Sequence, residues 1–175
     1  MTDKPINADV RKKITVVLLL TLLIADAVFI FVNSSLDADR SSHESGKVTR
    51  IVISIFHPEY DSLPEEEKAV IFSSVSSVVR QTAHFAEFVP LGLFGTLLVF
   101  VLTEKTKKRR FCVIGTFALC AAYAVTDEIH QHFTDGRAAE AADVLTDSLG
   151  SLFGIAIALA LCGIVNAVRR SKRNK

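Results

Sequence analysis

The chain has 175 residues, half of them hydrophobic, and a formal net charge of +1. This length sets one domain, residues 1–175, and the apolar content exceeds what a soluble domain of that size carries. Its three cysteines, Cys112, Cys120 and Cys162, lie inside apolar runs, which excludes a disulfide framework and leaves free core or lipid-facing thiols.

The first predicted element is a membrane span over 14–32, ITVVLLLTLLIADAVFIFV. Crossing a bilayer takes about 20 apolar residues, and this run is too long for a signal peptide and lacks a small-x-small cleavage site. Asp26 lies past its middle, where a carboxylate is expected to face the bundle, neutral or paired.

Residues 33–81 are too polar to span. NSSLDADRSS reads as a turn region rich in serine and aspartate. Val48, Ile51, Val52, Ile55 and Phe56 then recur at helical spacing, and Pro58 closes that helix. Ser62 with Glu65 forms a capping-box signature, and Pro64 suits a first helical turn. The helix opened there carries Val70, Ile71, Val75, Val78 and Val79. Both are expected to be short amphipathic helices, lying on the membrane surface or covering the bundle mouth.

The second span is 82–102. Its outer end holds His84 and Glu87, three residues apart, with Arg80 one turn before His84 and Pro90 one turn further in. The third is 111–128, extended through Asp127 and Glu128 because its apolar part is short. Asp127, His130 and Gln131 can line one face there, with Glu128 beside them. TDGR then turns the chain, with Gly136 at the bend and Arg137 after it. The fourth span is 144–168, with Asp143 and Asp147 one turn apart at its start and Gly150-x-x-x-Gly154 deeper, a spacing that lets helices approach closely.

The basic residues cluster before the first span, between the second and third, and in the tail. The acids cluster in the other two loops. The positive-inside rule then places both termini in the cytoplasm of a multi-pass cell-membrane protein. The fold class is all-α: a polytopic bundle of four transmembrane helices with one or two short amphipathic helices in the first extracytoplasmic loop. All five histidines fall on the outer half.

RQTAHFAEFVPLG, DEIHQHFTDGR and DVLTDSLGSLFG resemble, in order and spacing, the three motifs of VanZ-like membrane proteins, R-K-x-x-H-F-x-E-Y, D-E-x-H-Q-x-F-x-P-G-R and D-x-x-x-N/D-x-x-G-x-x-x-G. FIFVNSSLDADRSSHESGKV is similar to the family's serine-rich turn. Gln81, Phe88 and Asp135 stand where lysine, tyrosine and proline are usual, and the lysine is an anion contact of the pattern. The resemblance implies a Gram-positive cell envelope and a link to resistance against teicoplanin, a lipid-bearing glycopeptide. It carries interest onto Arg80, His84, Glu87, Asp127, Glu128, His130, Gln131, Arg137, Asp143 and Asp147.

Four functions follow from different classes. In the first, an outward-facing pocket binds or processes a lipid-linked phosphate or envelope precursor. Arg80 and Arg137 hold the anionic head group, with Gln131, Asp143 and Asp147 as further binding residues. His84 or His130 acts as acid or base, oriented by Glu87, Glu128 or Asp127. The others are a metal site built on the His84/Glu87 and Asp127/His130 pairs, a proton conductor using Asp26, and a scaffold without catalysis. The sequence indicates no cofactor and no nucleic-acid partner. The expected partner is a membrane lipid or lipid-linked anionic ligand.

Overall fold

A computed structural model describes the backbone of residues 7–35, 38–103, 108–134 and 140–174, and the side chains of the same residues except 38–44. Among them there are helices and turns and no strand. In chain order they are α1 (Ala8–Ser34), α2 (Ala38–Phe56), a 3-10 turn (Tyr60–Ser62), α3 (Glu65–Leu102), α4 (Arg109–His132) and α5 (Ala141–Arg173). α1, α3, α4 and α5 are each long and apolar enough to cross a membrane, so the chain is a four-span integral membrane protein.

The spans alternate in direction. Tyr123 on α4 donates to the Ala27 carbonyl on α1 at 2.6 Å, and Ser34 reaches Asp127, so α1 and α4 run parallel. Phe85 abuts Gly150, and Val89 abuts Gly154, so α3 and α5 also run parallel. The end of α1, the middle of α3, the end of α4 and the start of α5 therefore meet at one end of the bundle. The polar motif residues sit on those four segments.

Glycine sets the closest helix contact. Cβ atoms placed on Gly150 and Gly154 would run into the carbonyl oxygens of Phe85 and Val89, and one on Gly92 into the Ser151 carbonyl. The two backbones touch, as the sequence spacing predicts. The central core is small: Ile30, Phe88, Leu91, Cys120 and Ala124, with Leu23, Ala27, Tyr123 and Val144 packed on it. Most of the large apolar side chains of α1 are exposed, including Ile14, Val17, Ile24 and Phe29, as a lipid-facing helix requires.

The outer-loop expectation is half met. α2 is a separate amphipathic helix, but it begins at Ala38, inside the stretch read as a turn. The second helix is not separate: α3 starts at Glu65 and continues unbroken through the span, past Pro90. Nothing between Val79 and Ala83 breaks a helix, and hydrogen bonding of the backbone favours continuation. The capping box does not form. The hydroxyl of Ser62 donates to the Glu59 carbonyl at 2.7 Å, and Pro64 is the cap residue of α3. Three glutamates in the first turn suit the positive end of its dipole instead.

α2 folds back along the first part of α3. It buries Thr49 and Ile53, while Val48, Ile51, Ile55 and Phe56 of the predicted apolar stripe stay exposed. Between α2, the 3-10 turn and α3 lies a cleft of about 650 Å³ lined by Arg50, His57, Tyr60, Asp61 and Phe72, among others.

Candidate functional site

The polar end of the bundle divides into two halves of unlike character. In the α1–α4 half the groups are satisfied. Asp127 and Gln131, one turn apart on α4, are both buried and face Ser34. The Ser34 hydroxyl donates to Asp127 Oδ1 at 2.5 Å, and Gln131 Nε2 donates to Asp127 Oδ2 at 2.8 Å. Gln131 also reaches Ser34 Oγ at 3.3 Å. Next to this trio, Asn33 Nδ2 donates to Glu87 Oε1 at 2.9 Å. His130 is half-buried, 3.0 Å from Ser35 Oγ, with its ring stacked on Phe31 at 4.6 Å. Both Asp127 oxygens are thereby used, as a buried carboxylate demands.

The α3–α5 half is built differently. Arg80 and His84 lie one turn apart on α3 and face Asp143 and Asp147, one turn apart on α5. Arg80 Nη2 is 3.4 Å from Glu140 Oε2 and 4.0 Å from Asp143 Oδ2. His84 Nδ1 is 3.5 Å from Asp147 Oδ1. Glu128, at the end of α4, accepts the backbone N–H of Glu140. Charge-assisted hydrogen bonds close to about 2.7–2.9 Å, so the arginine and histidine contacts are loose ion pairs.

Burial makes that looseness costly. Asp147 is 0 % exposed, Asp143 4 %, Glu128 5 % and His84 8 %. Among the described residues, both oxygens of Asp147, Oδ1 of Asp143, Oε2 of Glu128 and Nδ1 of His84 have no hydrogen-bond partner. The same holds for the donor Nε of Arg80 in this half, and for Oδ2 of the half-buried Asp26, set apart in α1.

Of the residues singled out in the sequence, Arg80, His84, Glu128, Asp143 and Asp147 converge in one half, and Glu87, Asp127, His130 and Gln131 in the other. Glu87 and His84, three residues apart, turn to different neighbours: Glu87 to α1, His84 to α5. Arg137 lies outside the described residues. His132 is exposed and lies edge-on to Phe133. Sequence reasoning missed Asn33, Ser34 and Glu140. The first two ended an apolar run, where polar residues are ordinary. Both lie in the stretch that reads as a serine-rich turn, whereas α1 stays helical through Ser34, one turn beyond Ile30. Among the described residues no three histidine, cysteine, aspartate or glutamate side chains are arranged to hold a metal ion. The cleft beside α2 shares no lining residue with either half.

Compared with known families, residues 16–163 match the VanZ/LLP1 family model. The match spans most of the chain, which therefore belongs to that family. No curated protein and no solved structure matches.

Proposed function

We propose that this VanZ/LLP1 membrane protein receives the head group of a lipid, or of a lipid-linked envelope precursor, in the α3–α5 half of its polar end. One observation carries the reading: Asp147 is fully buried, lacks a hydrogen bond at either oxygen, and lies 3.5 Å from buried His84. An unsatisfied buried acceptor costs about 1–3 kcal/mol, more when charged. A bundle that keeps two such atoms on one side chain has a use for them.

The charge pattern supports the direction. With the basic segments in the cytoplasm, the polar end opens at the outer leaflet of a bacterial cell membrane, where envelope precursors reside. In this reading His84 moves or holds the proton and Asp147 orients its ring. Glu128, Asp143 and Arg80 border the head group. Asp127, Gln131, Glu87 and His130 position the walls. The expected phenotype of a Gram-positive host is altered susceptibility to a teicoplanin-type glycopeptide.

A second reading, a polar network that only knits the helices, has support from the α1–α4 half, where every motif carboxylate is bonded. The test separates the two. In a host lacking the gene, complementation by Asp147→Asn and His84→Gln is compared with complementation by the parent chain at equal membrane levels. The reading expects both variants to lose the glycopeptide phenotype and the co-purifying lipid. A His84→Gln protein that keeps its lipid but loses the phenotype indicates turnover. Parent-like behaviour of both leaves only the knitting network.

A further inference from the structure

We infer that the group entering the α3–α5 half is a cation, a primary ammonium carried on a lipid or lipid-linked precursor, held by Asp147, Asp143 and Glu128. This rests on the site proposed above and names the chemistry it takes.

Among the described residues the acids of this half outnumber its cations. Glu128, Glu140, Asp143 and Asp147 contribute four carboxylates, and Arg80 and His84 are the cationic side chains placed among them. Arg80 is already divided between Glu140 and Asp143. The positive end of the α5 dipole offsets charge within its first turn, which covers Asp143. Asp147 lies one turn deeper, beyond that reach, and is the most buried of the set. Glu128, Asp143 and Asp147 lie within electrostatic range of one another, and His84 opposes their mutual repulsion at Glu128 and Asp147.

The open atoms also specify donor chemistry. Four carboxylate oxygens lack a hydrogen bond, two on Asp147, one on Asp143 and one on Glu128, against two donors left open beside them, Arg80 Nε and His84 Nδ1. A primary ammonium presents three donors and no acceptor, which covers the remaining shortfall of donors. A phosphate presents only acceptors and would meet the carboxylates head-on. A quaternary ammonium has no N–H to give and is recognised by aromatic faces rather than by open oxygens. His84 Nδ1, 3.5 Å from Asp147 Oδ1, supplies at most one donor to that carboxylate and leaves Asp147 Oδ2, buried in a fully enclosed side chain, still open.

The test uses the purified full-length chain in maltoside micelles, with thermal unfolding followed against added dodecylammonium, dodecyl phosphate, dodecyltrimethylammonium and butylammonium. Dodecylammonium is expected to raise the midpoint saturably. Asp147→Asn is expected to weaken that binding about 10- to 100-fold, the loss of one charge-assisted hydrogen bond. Asp61→Asn, an exposed acid remote from the site, should leave it unchanged. Asp143→Asn and Glu128→Gln carry the same expectation as Asp147→Asn, so the test stands if one variant does not fold. Equal stabilisation by butylammonium keeps the cation and assigns it to a soluble amine. An Asp147-dependent response to dodecyl phosphate overturns the cation while keeping the site. An equal response to the trimethyl compound overturns the hydrogen-bonded ammonium. No Asp147-dependent response to any amphiphile overturns both the cation and the site.

Discussion

Replacing Gly154 with alanine tests whether the α3–α5 backbone contact holds the polar end together. The new Cβ would meet the Val89 carbonyl oxygen and sit 2.8 Å from the Leu93 nitrogen and 3.0 Å from the Val89 carbonyl carbon. Comfortable contacts between such atoms lie near 3.5–4.0 Å, so the helices must part by roughly 1 Å. Overpacking of this kind costs about 1–3 kcal/mol. Alanine also gains up to about 1 kcal/mol over glycine from helix propensity, which partly hides the clash. Gly163 supplies the control, since a Cβ there meets nothing within 4 Å. Gly163→Ala should therefore be neutral or stabilising, and the difference between the two variants isolates the clash at about 1–3 kcal/mol. Reversible unfolding by dodecyl sulfate in mixed micelles measures both. The same displacement moves Asp147 away from His84, so dodecylammonium binding should also fall although Gly154 touches neither. Equal stability of the two variants would show that the helices are not in backbone contact, and the site geometry would fall with it.

Three further outcomes are expected. Asp147→Asn should unfold no earlier than the parent chain in the absence of ligand, because it removes a buried charge that the loose His84 contact compensates only weakly; a loss above about 2 kcal/mol would mean that Asp147 is a structural partner of His84. Gln131→Leu should lower stability by about 1–3 kcal/mol, since it strips the donor from Asp127 Oδ2 in a buried setting, and an unchanged unfolding midpoint would contradict the α1–α4 trio. In a chain cleared of native cysteines, an impermeant maleimide should label Asp61→Cys in intact cells and Ser171→Cys only after permeabilisation; the opposite pattern would invert the topology.

Much of this molecule was legible because the membrane imposes it. Apolar length alone marks the four spans, and the helical repeat puts Arg80 with His84 on one face of its helix and Asp143 with Asp147 on one face of theirs. Gly150 and Gly154 announce a close helix pair, though not which partner: the sequence cannot say that Phe85 and Val89 face them. What stayed hidden is mostly relational. Ser34 reads as part of a turn, whereas it ends α1 and donates to Asp127. Glu87 and His84 share a spacing that suggests one face, yet their neighbours divide them between α1 and α5. The Ser62–Glu65 pair has the pattern of a cap, but the intervening Pro64 takes that position and Ser62 turns back to Glu59. Nor does local pattern reveal that α3 runs on from its amphipathic start into the bilayer, since continuity depends on the absence of a breaker.

The unlike halves of the polar end depend on each other. Buried carboxylates left open cost free energy, and a folded domain holds only about 5–15 kcal/mol in total. Asp147, Asp143 and Glu128 can keep open oxygens only if other contacts fix the helices that carry them. Two contacts do so on opposite sides. The glycine seam of Gly92, Gly150 and Gly154 holds α5 against α3, where lateral slip would drive backbone into backbone. The Ser34–Asp127–Gln131 trio holds α4 to α1, and with it the Glu128 that follows Asp127 in the same turn. A residue of the satisfied network is thus chain neighbour to a residue of the unsatisfied one. Loss of Asp127 would therefore disturb the site without any contact to its ligand, whereas loss of Asp147 would empty it and leave the bundle standing. That asymmetry distinguishes a wall from a binding group, and it follows from where the hydrogen bonds are complete and where they are not.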